Sequence, residues 1–167
     1  MTTIRTSVLD QTGDGYVRLI LPSGSPKPEA GGPDYSYQQV LGTGELGESG
    51  IMAELVCRKR PLVLGTLERH LATPEILVAL DGDVIVCAAA PLVDPARCQP
   101  ADIRAFMLRQ GQALWMDKGT WHWLPFRTQT AQVSLLLIFR EGTGDRDIEF
   151  RELAQPIGIE AGPEAAG

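Results

Sequence analysis

The chain has 167 residues and two histidines, and each histidine stands beside acidic or turn-forming residues at a spacing that suits chemistry. His70 closes the triplet Glu68-Arg69-His70; four residues separate it from Glu75, and six more separate Glu75 from Gly82. His122 follows Gly111, Asp117, Lys118 and Gly119, with Thr120 and Trp121 between. Residues i and i+2 of a strand point to one face, so Glu68 and His70 share a face. Glu75 falls on the next strand, past the turn suggested by Ala72-Thr73-Pro74, and His122 on a later one. Converging inside a barrel, Glu68, His70, Glu75 and His122 offer mixed N/O ligation with open positions. That suits a divalent Mn, Fe, Ni or Zn ion better than Ca or a thiolate-bound metal. The same groups can move protons. A neutral imidazole titrates near working pH, which makes His70 and His122 candidate bases. Glu75 can share that part, since burial is expected to raise its pKa. A histidine on a strand is more often an ordinary hydrogen-bonded residue than a ligand, so the weight rests on the constellation.

The elements that must position these groups read as short strands. Apolar runs at 16–21, 51–57, 62–67, 75–80, 84–90, 103–108, 113–116, 120–123 and 133–139 are rich in Val, Ile, Leu and aromatics, and Gly, Pro and Asp bound them. Many short strands at close spacing predict an all-β sandwich or barrel with little helix. Asp81-Gly82-Asp83 reads as a tight Asp-Gly turn joining 75–80 to 84–90. Residues 94–102 read as a connection with one helical turn near Pro100. The Pro/Gly-rich stretch 23–34 has no periodicity to bury. Residues 1–159 are expected to form one domain and 160–167, rich in Gly, Ala and Glu, to fray. Alternation puts Arg69 away from Glu68 and His70. It also puts Trp121 and Trp123 opposite His122, either in a second core or at a subunit interface.

Composition narrows the partners. Hydrophobic content of 44% and charged content of 22% are ordinary for a globular chain. A net charge of −6 argues against a nucleic-acid or anionic-membrane binder, both of which want a basic surface. An anionic small-molecule substrate remains compatible with it, given a local Arg or Lys. The three cysteines Cys57, Cys87 and Cys98 are odd in number and form no CxxC, so they read as reduced thiols, with Cys57 and Cys87 buried in strands. The first residues lack an apolar signal segment, and the longest apolar run, 84–92, is too short to span a bilayer; a cytoplasmic location is expected.

The two histidine stretches resemble the two motifs of the cupin superfamily. The first motif there is a ligand, one residue, His, a short gap, Glu, six residues and Gly. The second is Gly, five residues, Pro, one residue, Gly, two residues, His, three residues and Asn. Here Glu68 replaces the first His, Asp117 the Pro and Phe126 the Asn. The resemblance implies a double-stranded β-helix, or jelly-roll, barrel. A narrower resemblance, over roughly residues 50–150, is to the ureidoglycolate lyase family. It is carried by Leu67-Glu68-Arg69-His70, Ile103-Arg104-Ala105-Phe106, Gly111, Thr120-Trp121-His122, Leu137-Ile138-Phe139-Arg140 and Asp147-Ile148-Glu149. It implies a dimeric barrel that splits (S)-ureidoglycolate into urea and glyoxylate late in purine and allantoin breakdown. Family members commonly carry His-Arg-Asn where this chain has Asp117-Lys118-Gly119, and His-Pro where it has Trp123-Leu124. Glu75 stands where the lyases often have Gln, closer to a metal-binding cupin.

That reaction needs a base, an acid and a cation for the substrate carboxylate. His70, His122 and Glu75 are the candidate catalytic groups. Arg104 and Arg140, which match the family pattern, and Lys118, in the second motif, are the candidate carboxylate contacts. No organic cofactor is expected. Two other readings stand beside the lyase: a metal-dependent cupin isomerase or dioxygenase acting on another small polar acid, and a non-catalytic small-molecule-binding barrel.

Overall fold

The computed structural model describes residues 1–7, 15–20, 30–31, 36–37 and 49–162. Most of the expected loop at 23–34 and the last residues of the expected tail, 163–167, lie outside them. The strands are β1 (Thr3–Arg5), β2 (Val17–Ile20), β3 (Ala30–Gly31), β4 (Ser36–Tyr37), β5 (Gly50–Arg58), β6 (Val63–Arg69), β7 (Glu75–Ala79), β8 (Val84–Ala89), β9 (Ile103–Leu108), β10 (Ala113–Met116), β11 (Trp121–His122), β12 (Phe126–Arg127), β13 (Gln132–Arg140) and β14 (Glu149–Glu160). Among the described residues, helix is confined to a 3-10 turn, Pro100–Asp102, and one α turn, α1 (Thr143–Arg146).

Two sheets carry the fold. One runs β1-β14-β6-β11-β8-β12, with β9 on the other side of β8; the other runs β2-β10-β7-β13-β5. From β5 onward the chain passes back and forth between them: β5, β7, β10 and β13 lie in one sheet, and β6, β8, β9, β11, β12 and β14 in the other. This winding is the double-stranded β-helix of a cupin-like barrel. It corrects one sequence expectation. The Asp81-Gly82-Asp83 turn is no hairpin, because β7 and β8 belong to different sheets. Gly82 is absent from the glycines at positive φ, which an Asp-Gly hairpin would require. It serves close approach instead: a Cβ there would come within 3.0 Å of Val133 Cγ2.

The first core lies between the sheets. Leu77 and Ala79 of β7, Leu114 and Met116 of β10 and Leu135 of β13 meet Val84, Val86 and Ala88 of β8 and Phe106 and Leu108 of β9. The alternating burial of β7 is that of a strand with one face in this core. Strand β8 is buried at every position, so its unbroken run Val-Ile-Val-Cys-Ala-Ala must be covered on both faces. The cover on its other face is a second core: Leu64 and Leu67 of β6, Ile85, Cys87 and Ala89 of β8, Ile103 and Ala105 of β9, Trp121, Phe126 and, from β14, Leu153, Ile157 and Ile159. Strand β1 closes it. It pairs in parallel with β14, Ile4 enters the core, and Ser7 just beyond bridges Phe106 of β9. The pairings β9-β8-β11-β6-β14-β1 thus return to β9, and the sheet curls around its own apolar face.

Trp121 is buried in this second core and Trp123 packs against it, so the opposite-face assignment holds and the cover is intramolecular. Arg69, on the same face, lies 4.3 Å over the Trp121 ring and pairs with Glu149 at 2.7 Å. Cys57 and Cys87 are buried free thiols, and burial pushes Cys87 up to about 12. At the C-terminal end of the described residues the backbone is still bonded. Glu160 ends β14 and accepts from Thr6 N at 2.9 Å, and Gly162 N donates to Thr6 Oγ1 at 2.6 Å.

Candidate active site

The four residues picked from spacing meet at one end of the first core. Glu68 and His70 leave the end of β6, Glu75 opens β7 and His122 closes β11. His70 Nε2 lies 3.2 Å from Glu75 Oε2; His122 Nε2 lies 3.6 Å from the same oxygen and 3.9 Å from Glu68 Oε1. The imidazole centroids are 5.3 Å apart. His70, Glu75 and His122 are each buried.

Both rings are oriented from behind. His70 Nδ1 faces the Asp147 carbonyl at 2.7 Å, and His122 Nδ1 faces the Thr120 carbonyl at 2.9 Å. A carbonyl only accepts, so each Nδ1 carries the proton and each Nε2 is turned to the cluster. Backbone restraint extends to the loops. Gly119, at φ 80°, donates its N–H to the His70 carbonyl at 2.6 Å, and a Cβ there would press on Pro91 at 3.3 Å. A side chain at 119 would meet both strain and a neighbour, which accounts for the glycine before Thr120-Trp121-His122.

Electrostatics follow from the packing. Burial alone would raise Glu75, as the sequence reading expected, but the facing His122 and His70 imidazoles outweigh it and hold the carboxyl down at about 2. That is a correction: Glu75 is a carboxylate, not a neutral acid. Burial alone would lower His122, yet Glu75 and then Glu68 raise it to about 9. His70 also moves up; burial opposes the shift and the Glu75 hydrogen bond overcomes it. Glu68 is raised, because its burial exceeds what His122 returns.

Glu68, His70 and His122 can each present one ligand atom, all within 4.8 Å of one another, so this group could hold a metal ion. The residues fit such an ion in a second respect. His122 Nε2 is buried without a hydrogen-bond partner, while its Nδ1 is anchored to a carbonyl, the arrangement that fixes a metal-binding imidazole.

The candidate carboxylate contacts lie in different places. Phe150 pairs with Glu68, Glu68 with His122, His122 with Ala88 and Ala88 with Arg104. Direct cross-strand partners share a face, so this row carries Arg104 on the same face as the two ligands, two strands from His122, or about 10 Å. Arg104 is exposed, at the rim. Lys118 is exposed in the turn before Gly119. Arg140 follows Leu135 and Leu137 at odd spacing, which turns it from the core face. Its guanidinium lies 3.9 Å from Asp147. Asp117, at the position of the motif's Pro, accepts from Trp115 Nε1 at 2.8 Å and pairs with Arg18 at 3.0 Å. Sequence reasoning missed the role of Asp147, which binds His70 from behind; only the resemblance touched it, since a main-chain acceptor leaves no mark in residue type.

Several structures of Bacillus subtilis oxalate decarboxylase OxdC align with this chain at a TM-score of 0.43 and 16% identity, covering 64% of this chain and 24% of that one. A ureidoglycolate lyase of Pseudomonas syringae pv. tomato is 30% identical over 105 residues, 62% of this chain. The chain matches about three-fifths of that relative's length, 60%. The family model for ureidoglycolate lyase matches residues 41–160, a span that holds every group in the cluster and the segments that orient them, and the chain belongs to the ureidoglycolate lyase family.

Proposed function

We propose that the chain is a lyase that cleaves (S)-ureidoglycolate, or a close α-hydroxy acid analogue, to glyoxylate and urea, as in purine and allantoin catabolism. The observation that carries this reading is the buried Glu68–His70–Glu75–His122 cluster, both Nε2 atoms turned inward, in a chain of this family. Cleavage removes the proton from the hydroxyl on the carbon bearing the ureido group. The carbonyl of glyoxylate forms there, the C–N bond breaks with its electron pair leaving on nitrogen, and that nitrogen takes up a proton. In the metal-free site Glu75, held as a carboxylate between the two imidazoles, or Nε2 of His70 in its neutral form takes the hydroxyl proton, while His122, raised to about 9, is charged and suited to donate one. Glu68, raised by burial, is suited to hold a proton for the departing urea nitrogen. Arg104, on the row of Glu68 and His122, is placed for the substrate carboxylate.

Glu68, His70 and His122, with Glu75 beside them, would hold a divalent Mn, Fe, Ni or Zn ion. Such an ion would occupy the imidazole Nε2 atoms and the Glu68 carboxylate and would supply a Lewis acid that lowers the pKa of the substrate hydroxyl, leaving Glu75 as the carboxylate base. The same four residues also favour a second reading, a metal-dependent enzyme acting on another small polar acid.

The test is release of glyoxylate and urea from racemic ureidoglycolate by purified protein, assayed as isolated, after chelation, and after refilling with each of the four metals. Stoichiometric release of both products supports the lyase. Folded, metal-replete protein that releases neither removes it and leaves the second reading.

A further inference from the structure

Asp147 sits outside the cluster, yet all its polar atoms are engaged and three of them act on the His70 segment. Its carbonyl accepts His70 Nδ1–H at 2.7 Å. Its carboxylate accepts Leu71 N–H at 2.8 Å on Oδ1 and Ala72 N–H at 2.9 Å on Oδ2. Its own N–H donates to Thr143 O at 3.0 Å, at the end of α1, which starts after Gly142 at φ 77°. Arg140 lies 3.9 Å from Oδ2, and the Asp147 side chain is only 9% exposed. The segment leaving β13 is therefore joined at one residue to both the ring of His70 and the two peptides that follow it. Neighbouring contacts lace the same junction: Arg140 N–H donates to Thr73 Oγ1 at 3.1 Å, and Thr143 Oγ1 donates to Arg140 O at 2.7 Å.

From this geometry we infer that Asp147 is the positioning residue of the site: its carboxylate clamps residues 71–72 so that its carbonyl can hold the His70 ring with Nε2 toward Glu75. Two contacts acting together do what neither does alone. The carbonyl fixes which nitrogen carries the proton and where the ring points. The carboxylate fixes the backbone from which the ring hangs, so removing it lets the imidazole and its acceptor drift apart, although the carbonyl is still present. The inference builds on the metal-site reading above, but ring position is measurable without metal.

The experiment uses the full chain with 15N-labelled histidine. Two histidines give two ring signals, and His70→Gln assigns them. In metal-free protein the Nδ1–H of His70 and that of His122 should both appear downfield and exchange slowly with water, since each is bonded to a carbonyl. Asp147→Ala should lose the His70 signal and keep that of His122, which reports an intact fold. Asp147→Asn keeps an oxygen for one of the two N–H groups and should give an intermediate exchange rate; it carries the test if the alanine variant does not fold. In parallel, Co2+ is titrated and followed by its d–d absorption. Asp147→Ala should weaken Co2+ by ~10- to 100-fold, with Asp147→Asn between, the range for loss of an outer-shell partner. A His70 signal with unchanged exchange in the variants overturns the clamp. Wild-type protein that takes up no Co2+ removes the metal reading, and the ring signal still decides the role of Asp147.

Discussion

Adjacent residues of one sheet enter two different environments. His122 faces the space between the sheets, where the first core ends in four titratable side chains. Trp121, its neighbour, faces the second core, which is apolar apart from the Arg69 guanidinium over the Trp121 ring and the Arg60 guanidinium over the Phe126 ring. On β6 the split repeats: Glu68 turns to the site, Leu67 to the second core. A strand's period of two allows one element to serve both. Polar groups at the end of the first core leave charge to be compensated pairwise, while the second core supplies mainly apolar burial, with Trp121 Nε1 buried and lacking a hydrogen-bond partner. The site is thereby held on strands whose far side is rigidly packed, the support a positioned cluster needs.

The contrast breaks first through the two histidines. His122→Ala and His70→Ala should each reduce turnover by ~100- to 10,000-fold, the usual cost of a positioned general acid or base, with the fold retained. Trp121→Ala should do the reverse. Emptying a large, 2% exposed side chain from the second core should cost about 3–5 kcal/mol of unfolding free energy by denaturant titration. At temperatures where that variant is still folded, its cluster should bind metal as the wild type does. A Trp121 variant that is stable but inactive, or a His122 variant that unfolds, would show that the two faces are one energetic unit.

The sequence displayed the first environment better than the second. Glu68, His70, Glu75 and His122 were legible because their two stretches resemble the cupin motifs, and strand alternation gave that spacing a physical reason. Strands β9 and β10 match their apolar runs residue for residue. Strand β14, the longest among the described residues, was invisible. Its sequence Glu-Phe-Arg-Glu-Leu-Ala-Gln-Pro-Ile-Gly-Ile-Glu does not alternate, it contains Pro156, and its register with β6 shifts between Glu152 and Ile157. An irregularity of that kind resets which face each residue takes, so no periodic pattern survives. Strand β1, three residues long, is fixed by its parallel partner rather than by its own composition. The direction of the Glu75 shift was missed for a related reason: burial is readable from an apolar context, but two imidazoles arriving on other elements are not.

Charge pairing at the site makes stability depend on pH in a way the second core cannot. In metal-free protein His122 keeps its proton up to about 9, against about 6.5 in an unfolded chain. Its contribution is complete below about 6.5 and is lost as pH rises through about 9. Glu75, held at about 2, contributes above the ordinary carboxylate range and loses that contribution as pH falls toward about 2. These are largely one interaction seen from its two ends, worth on the order of 3 kcal/mol. Glu68, raised by burial, works the other way, giving up some stability as pH rises past the ordinary carboxylate range. Melting temperature of the chelated protein should therefore decline between pH 6.5 and 9, and His122→Gln should flatten that limb. An alkaline slope unchanged in His122→Gln would place the dependence elsewhere.

The smallest expected effect sharpens where the site ends. Arg104 and Arg140 were equal candidates for the substrate carboxylate, and the structure separates them by face. Arg104 lies on the cross-strand row that holds Glu68 and His122, at an exposed position. Arg140 lies against Asp147, behind His70. An Arg–carboxylate contact at a solvated rim contributes about 1–2 kcal/mol, or roughly 10-fold in binding, because water competes for both partners. Arg104→Ala should therefore raise KM by about 10-fold with kcat nearly unchanged, since the contact is the same in substrate and transition state. Arg140→Ala should leave KM close to wild type and lower kcat and metal affinity together, because its influence reaches the substrate only through Asp147 and His70. Steady-state kinetics of the two variants at matched metal loading distinguishes them. If Arg140→Ala raises KM and Arg104→Ala does not, the carboxylate is held from behind His70, and the exposed Arg104 end of the cross-strand row is not the entrance to the site.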